Sequence, residues 1–342
     1  MSYFLIYRLP VQECRGLLAM PDEQLSGTYQ ALSRSGSAGL RPHALTACAA
    51  TAAVASLVAC SSAGPLDGAR TPSARGSAPA AVLAAPPPEN LGATLARALA
   101  PVLRDGAPRI AVAVLDLDGA NREIASYRGD AMFDTASIIK VDILAALLLQ
   151  AQDEGREPTA AEREAAEAMI RTSDNDAANR LWRAIGRGEG LDAANERLGL
   201  SSTQAGPGFH WGLTRTTAKD QIRLLRSVFA RVPAVSVRAR AGLNRASRAY
   251  IRELMGGIVK GQDWGVSAAA PRWALKNGWL QRTTTELWVV NSIGQVTVHG
   301  RRYLVSVLSS GNASMQDGVS LVERAVRAAI GAASAHARPW PE

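Results

Sequence analysis

Cysteine is nearly absent from this sequence. The chain of 342 residues contains three cysteines, Cys14, Cys48 and Cys60, and none follows Cys60. The part of the chain that we expect to fold therefore holds neither a disulfide nor a thiol nucleophile. This excludes a cysteine-protease mechanism.

Histidines and aromatic residues are also scarce. The four histidines, His43, His210, His299 and His336, show no spacing typical of metal ligands, so we predict no metal site and no cofactor. Aromatic residues make up 5% of the chain and its arginines are scattered, so the net charge of +8 does not indicate nucleic-acid binding. A hydrophobic content of 47% is sufficient for a globular core.

An apolar, alanine-rich run extends from residue 44 to residue 59 and follows several basic residues. It is too short for a transmembrane helix and is typical of a secretory signal. Residues 57–60 read Leu-Val-Ala-Cys, which resembles the bacterial lipobox. We therefore predict that residues 1–60 are a leader and lipoprotein signal peptide and that Cys60 is lipidated. The protein would then be exported and anchored to the outer face of the cytoplasmic membrane. An ordinary signal peptide, giving a secreted protein, or an uncleaved anchor is the alternative.

The remainder divides into a linker and one folded region. Residues 61–88 are rich in Ser, Ala, Gly and Pro, so they cannot bury enough apolar surface to order, and we predict a disordered linker. The folded region is expected over residues 89–334. Helix and strand patterns alternate over about 89–136 and 260–334, whereas about 137–259 reads as helical. These patterns predict an α+β fold, in which terminal helices flank an antiparallel sheet and an all-helical domain is inserted.

One segment, from Phe133 to Lys140, places a serine three residues before a lysine at the start of an apolar helix. With Thr135 as the N-cap, Ser137 lies in the first helical turn. Residues i and i+3 share a helix face, so we expect the Lys140 amine to reach the Ser137 hydroxyl. A serine nucleophile needs such a base, together with N–H groups that stabilise negative charge. Taken alone, the same pattern is more often a surface serine and a solvated lysine.

Two further motifs follow, and together they carry a family resemblance. The motifs in chain order are Ser137-Ile138-Ile139-Lys140, Ser173-Asp174-Asn175 and Lys276-Asn277-Gly278. Singly, the second suits a turn and the third a strand end. Placed in this order on a helix start, an interhelical loop and a strand, they resemble the set found in class A β-lactamases and other penicillin-recognising serine enzymes. The resemblance covers roughly residues 89–333 and implies a β-lactamase/transpeptidase-like fold.

The resemblance also implies the catalytic roles. Ser137 would be the acylated nucleophile. Lys140 would be its base or part of a proton relay, which requires a lowered pKa. Ser173 would pass the proton to the leaving nitrogen. Lys276 would stand near Ser173 and attract a substrate carboxylate.

The substrate-binding roles follow in the same way. Asn175 would hydrogen-bond the substrate amide, and Asn277 and Gly278 would contribute to the binding strand. The backbone N–H groups of Ser137 and Trp279 would form the oxyanion hole. Asn277 departs from the family pattern, in which Thr or Ser is usual. Its amide can donate to a carboxylate, but the hydroxyl is missing.

A second departure concerns the deacylating glutamate, which class A enzymes carry on a loop after the second motif. Between residues 197 and 252 the only acidic residue is Asp220, which lies inside a predicted helix. The loop at residues 206–212 has no acidic residue. His210 on this loop is a candidate auxiliary base. The alternative is that His210 is only a surface or packing residue.

These features predict a serine hydrolase of the β-lactamase type, which opens a β-lactam or related amide through an acyl-serine. The alternatives are a D-Ala-D-Ala-type peptidase that acts on peptidoglycan peptides, and a penicillin-binding lipoprotein that senses or binds with little turnover. In each case we predict a monomer that contacts the membrane through its lipid anchor and binds no nucleic acid.

Overall fold

The structure, a computed structural model, describes residues 90–103, 108–119, 122–231 and 242–337. The predicted leader, the linker and the lipidation site Cys60 lie outside the described residues. Within those four ranges, no helix combines the length and the apolar character that a membrane span requires.

The described helices and strands have the following bounds. The helices are α1 (Leu91–Leu99), α2 (Ile139–Asp153), α3 (Ala160–Arg171), α4 (Asn175–Ala184), α5 (Arg187–Leu198), α6 (Ala218–Phe229), α7 (Arg245–Gly256) and α8 (Met315–His336). The strands are β1 (Arg109–Asp116), β2 (Ala125–Tyr127), β3 (Met132–Asp134), β4 (Arg215–Thr217), β5 (Trp273–Gln281), β6 (Trp288–Val298) and β7 (Arg301–Asn312). Short 3-10 turns lie at Ala136–Ile138, Trp211–Leu213 and Val266–Ala269.

Five strands form an antiparallel sheet in the order β2-β1-β7-β6-β5. The first and last parts of the described chain meet in this sheet, since β1 pairs with β7 from Arg109 opposite Ser310 to Asp116 opposite Tyr303. Helices α1 and α8 pack on each other and on the sheet, and α6 also contacts β1 and β7. Every residue of β1 from Ile110 to Leu115 is buried, which requires cover on both faces of the sheet. The predicted α+β fold is confirmed.

Helix α2 forms the centre of the helical part. It is buried on nearly every side, with 12 of its 15 residues inaccessible to solvent, as its apolar sequence predicted. It packs against α3, α4, α5 and α7. Two of the buried residues, Lys140 and Asp142, are ionisable. Since burial of an unpaired charge is unfavourable, the packing around these two groups decides their chemistry.

The start of α2 differs from the prediction. The α-helix begins at Ile139, and Ser137 lies in the preceding 3-10 turn. Thr135 makes no side-chain cap. Instead, the Thr135 N–H donates to the Thr214 carbonyl oxygen at 2.8 Å, which continues the pairing of β3 with β4. The nucleophile turn is therefore fixed by a tertiary contact, which a local capping pattern does not reveal.

Two features of the strands also differ from the prediction. A glycine usually weakens a strand, which predicts a break near Gly294, but β6 stays paired with both neighbours there. A Cβ at Gly294 would lie 2.3 Å from the Ala274 carbonyl oxygen, so this glycine permits close approach of two backbones. The two-stranded sheet of β3 and β4 was not predicted, because each strand is only three residues long.

Candidate functional site

The three sequence motifs meet at one place in the fold. The nucleophile turn, Ala136–Ile138, packs against strand β5, which carries Lys276. The loop between α3 and α4 brings Ser173 within hydrogen-bond distance of both Lys140 and Lys276. The structure thus places Lys140, Ser173 and Lys276 in direct contact, next to Ser137.

Lys140 is fully buried, and its amine donates to three oxygen atoms. The distances are 2.6 Å to the Ser173 carbonyl oxygen, 3.1 Å to Ser173 Oγ and 2.8 Å to Asn175 Oδ1. These bonds use all three hydrogens of an ammonium group. The expected hydrogen bond from Lys140 to the Ser137 hydroxyl is therefore not formed in this conformation, because the loop at Ser173–Asn175 supplies the acceptors instead.

Lys276 also contacts Ser173. Its side chain is 1% exposed, and Nζ donates to Ser173 Oγ at 3.0 Å and to the Asn277 carbonyl oxygen at 2.9 Å. Ser173 Oγ thus lies between two amines and accepts from both. A hydroxyl oxygen has two acceptor sites, so the hydrogen of Ser173 remains available for a third group.

Burial changes the protonation of both lysines. It lowers the pKa of Lys140 to about 7, an effect that the negative charge of Asp174 partly opposes. Burial, and secondarily the positive charge of Lys140, lowers the pKa of Lys276 well below its ordinary value. Two like charges that share one serine oxygen disfavour each other. Because the pKa of Lys140 is about 7, its amine is partly unprotonated near neutral pH and can then accept a proton.

Two residues of the site have left-handed backbone conformations that are uncommon for residues other than glycine. Ala136, directly before Ser137, has a φ of 47°, and Ser173 has a φ of 59°. Such conformations are unfavourable by about 1–3 kcal/mol each and persist only where the surroundings impose them. Here the surroundings hold the nucleophile turn and the Ser173 hydroxyl in place.

Gly278 allows β5 to lie directly against the nucleophile turn. A Cβ at this position would lie 2.7 Å from the amide nitrogens of both Ser137 and Ile138 and 2.9 Å from the Thr135 carbonyl oxygen. In the described part of the chain, the Ser137 N–H has no hydrogen-bond acceptor. An N–H group that is fixed and unpaired in this way can bind a developing oxyanion.

Asn291 is a residue of the site that sequence reasoning missed. It is fully buried on β6, and its Nδ2 donates to the carbonyl oxygens of Asp134 and Thr135 at 2.9 and 3.0 Å. Its Oδ1 accepts from the Ser309 N–H at 3.1 Å. Asn291 thereby ties the nucleophile turn to the sheet. An asparagine within an apolar strand pattern is unusual and was the available signal.

The side-chain amide of Asn277 has other hydrogen-bond partners than the sequence suggested. Its Nδ2 donates to the carbonyl oxygens of Gln262 and Trp264, both at 2.8 Å, and the side chain is 1% exposed. Both amide hydrogens are used, so none is left for a substrate carboxylate. The strand residue beyond it, Trp279, is half-buried and packs its ring 6.0 Å from that of Trp264.

The loop that follows α5 brings a tryptophan, not the predicted histidine, to the site. His210 is exposed, and no hydrogen bond joins its imidazole to Ser137 or Lys140 among the described residues. The ring of Trp211 instead lies over the Lys140 amine, with Nζ 4.9 Å from the ring centroid. Sequence reasoning missed Trp211, although a tryptophan in a short glycine-rich loop was a visible signal.

The described residues include no group of three or more His, Cys, Asp or Glu side chains that could hold a metal ion. The acidic residue within the motifs, Asp174, has a structural role. It caps α4 by accepting from the Ala177 N–H at 2.6 Å. The groups that the three motifs bring together are hydroxyl, amine and backbone N–H groups.

Solved structures of penicillin-related proteins share this fold. The class A beta-lactamase from Bacteroides cellulosilyticus matches with 15% identity and a TM-score of 0.60, over 72% of this chain and 99% of that chain. PBP-A matches with 23% identity and a TM-score of 0.58, over 73% and 99% of the two chains. A PBP-A mutant in an acyl-enzyme complex with penicillin G matches with 22% identity and a TM-score of 0.59, over 73% and 100%. These matches confirm the predicted fold.

A comparison with curated proteins finds no match. A profile of the beta-lactamase enzyme family, in contrast, matches residues 94–161 and 157–333, which together are more than half of the chain. The resemblance predicted from the three motifs is confirmed, and the chain belongs to the beta-lactamase enzyme family.

Proposed function

We propose that this domain is a serine hydrolase that β-lactams acylate at Ser137 and that releases the acyl group slowly. The observation that carries this proposal is the cluster of Lys140, Ser173 and Lys276 beside the nucleophile turn. The cluster supplies a proton acceptor in Lys140, a proton-transfer group in Ser173 and a cation in Lys276. They lie beside Ser137, whose backbone N–H is unpaired. These are the parts that acyl transfer to a serine requires.

The acylation step uses each of these groups. Ser137 Oγ forms a bond to the lactam carbonyl carbon, and its proton passes to the neutral amine of Lys140. The Ser137 N–H stabilises the oxyanion of the tetrahedral intermediate. When the carbon–nitrogen bond breaks, Ser173 donates its hydrogen to the nitrogen and regains a proton from Lys140, which Ser173 already contacts. The product is a neutral amine on the opened ring and an ester on Ser137.

Lys276 supports a preference for anionic substrates. Its amine is buried beside Ser173, and Asn277 does not offer a competing donor. A carboxylate that approaches Ser173 would favour the protonated form of Lys276. This arrangement suits the carboxylate that β-lactams carry next to the lactam nitrogen.

The loop after α5 supports slow deacylation. It carries no carboxylate, and the group that it places over Lys140 is the Trp211 ring, which cannot accept a proton and whose N–H is bound to Asn179. This observation favours a second candidate function within the same chemistry. A D-Ala-D-Ala-type peptidase or a penicillin-binding sensor also forms a stable acyl-enzyme with β-lactams.

The kinetics of a chromogenic cephalosporin test this function. We expect a rapid burst equal to the concentration of the protein, followed by a steady rate about 10²–10⁴-fold slower, because general-base help to the water is missing. Stopped-flow absorbance measures both phases, and intact-protein mass measures the adduct. A steady rate as fast as the burst would contradict slow deacylation, and the absence of any adduct would refute acylation.

A substitution at Gly278 tests the packing of β5 against the nucleophile turn. Gly278→Ala should slow acylation about 10²–10³-fold, since a Cβ placed 2.7 Å from two amide nitrogens displaces the oxyanion-binding N–H. Gly331→Ala is the matched control, because a Cβ there meets nothing within 4 Å and alanine favours the helix. The rate of labelling by a fluorescent penicillin is the measurement. Equal rates for Gly278→Ala and the wild type would show that the strand does not set this geometry.

A further inference from the structure

The Trp211 ring is held over Lys140 by its own hydrogen bond. Trp211 Nε1 donates to Asn179 Oδ1 on α4 at 2.8 Å, which fixes the rotation of the ring. The Lys140 Nζ lies 4.9 Å from the ring centroid, within the range of a cation–π interaction. The ring thus covers the amine on the loop side, and Ser173 and Asn175 bind its hydrogens.

The loop that carries Trp211 is itself fixed at several points. Trp182, fully buried on α4, donates from Nε1 to the Gly208 carbonyl oxygen at 3.1 Å. The Gly206 N–H donates to Thr214 Oγ1 at 3.0 Å, which closes the loop. The carbonyl oxygen of Thr214 in turn accepts from the Thr135 N–H at 2.8 Å. The nucleophile turn and Trp211 are therefore parts of one connected unit.

We propose that Trp211 is a positioning residue for Lys140, whose ring face stabilises the ammonium form of the amine and keeps water from it on the loop side. The other charged groups that act on the amine are Lys276 on β5 and Asp174 at the start of α4. His210, adjacent in sequence, is exposed, and among the described residues no hydrogen bond joins its imidazole to the amine. Trp211 is the aromatic ring that the described residues place over Lys140.

This role has a consequence for acyl transfer, and that consequence rests on the proposed function. The ring face favours the protonated amine, whereas the exclusion of water favours the neutral amine. Their balance sets the pH at which Lys140 can accept a proton from Ser137. Trp211 thereby determines the pH range over which the serine can be acylated.

Nuclear magnetic resonance of the lysine side chains tests the inference directly. The whole chain contains four lysines, Lys140, Lys219, Lys260 and Lys276, so a protein labelled with ¹³Cε-lysine gives few signals, and Lys140→Met assigns the signal of interest. Trp211 can be replaced by 5,6,7-trifluorotryptophan through suppression of a stop codon at position 211. The fluorine atoms withdraw electron density from the ring face and weaken the cation–π interaction, while the ring keeps nearly the same shape. The titration midpoint of Lys140 should then move to lower pH by about 1 pH unit.

Two further variants complete the test. Trp211→Ala removes both the ring face and the cover. Because burial is the largest cause of the lowered pKa of Lys140, the admission of water should outweigh the loss of the ring face, and the midpoint should move to higher pH. The same fluorinated residue at Trp288, which is not stacked on a lysine, should leave the midpoint unchanged. An unchanged midpoint in both Trp211 variants would overturn the inference. The titration reads Lys140 whether or not a β-lactam reacts, so this failure is distinct from a failure of the proposed acylation.

Discussion

Ser137→Ala is expected to abolish the covalent adduct with penicillin and to leave the fold intact. Ser137 is half-buried in the 3-10 turn before α2, and its N–H is the unpaired donor at the site. Alanine keeps the backbone and removes only the attacking oxygen, so no acyl ester can form. Mass spectrometry of the intact protein should show the added mass of one penicillin in the wild type and none in the variant.

The position of the adduct completes this test. Digestion of the acylated wild type should place the modification on the peptide that contains Ser137. Ser201→Ala, a change at an exposed serine after α5, is the control and should be labelled as fast as the wild type. An adduct on Ser173, whose oxygen already lies between two lysine amines, would instead assign the nucleophile to the second motif. Thermal unfolding of Ser137→Ala at the wild-type temperature would exclude a folding defect.

The sequence allowed the prediction of the fold and of the grouping of the motifs. The alternation of helix and strand patterns over about 89–136 and 260–334 identified the parts of the chain that form the sheet and its terminal helices. The three motifs predicted that Lys276 would lie near Ser173, and their 3.0 Å contact follows from that resemblance. These features were accessible because each depends on a short local pattern or on a known motif order.

The contacts that position these groups could not be predicted. Asn291 reaches Thr135 across 156 positions of the chain, and no local pattern specifies such a partner. The left-handed conformations of Ala136 and Ser173 are imposed by tertiary packing against their local preference. The Trp211 ring lies over Lys140 only because Asn179 and the closed loop hold it there.

The hydrogen bond predicted from Lys140 to Ser137 is not formed, for a related reason. Helical spacing places the two side chains on one face, but it does not reveal which acceptors from other parts of the fold compete for the amine. The loop at Ser173 and Asn175 supplies three acceptors within 3.1 Å, enough to bind every hydrogen of the ammonium group. A neutral amine has one hydrogen fewer and gains an acceptor site, so loss of the proton allows Lys140 to accept a hydrogen bond.

Acylation by penicillin should therefore depend on the protonation of Lys140. Because burial lowers its pKa to about 7, the amine is protonated in acid and becomes a base as the pH rises. The acylation rate of the wild type should increase as the pH rises from about 5 and should level off above the pKa. Lys140→Met should slow acylation about 10²–10⁴-fold and remove this dependence, since the proton acceptor is lost.

Lys140→Arg separates the base from the charge. A guanidinium stays protonated at every accessible pH, so the variant keeps a cation but cannot accept a proton. We expect Lys140→Arg to be as slow as Lys140→Met in stopped-flow measurements of labelling. Wild-type rates in Lys140→Arg would show that Lys140 acts by its charge alone, and another group would have to accept the proton of Ser137.

Unfolding measurements complete this argument, because the same lowered pKa links stability to pH. The pKa of Lys140 is lowered from its ordinary 10.5 to about 7, so between these pH values the unfolded chain binds the proton and the folded chain does not. The free energy of unfolding of the wild type should therefore rise with pH, relative to Lys140→Met, by up to about 1.4 kcal/mol per pH unit. Urea denaturation of both proteins at pH 7 and pH 9 measures this difference. An equal response to pH in the two proteins would mean that Lys140 remains charged in the folded state, and its role as the base for Ser137 would be untenable.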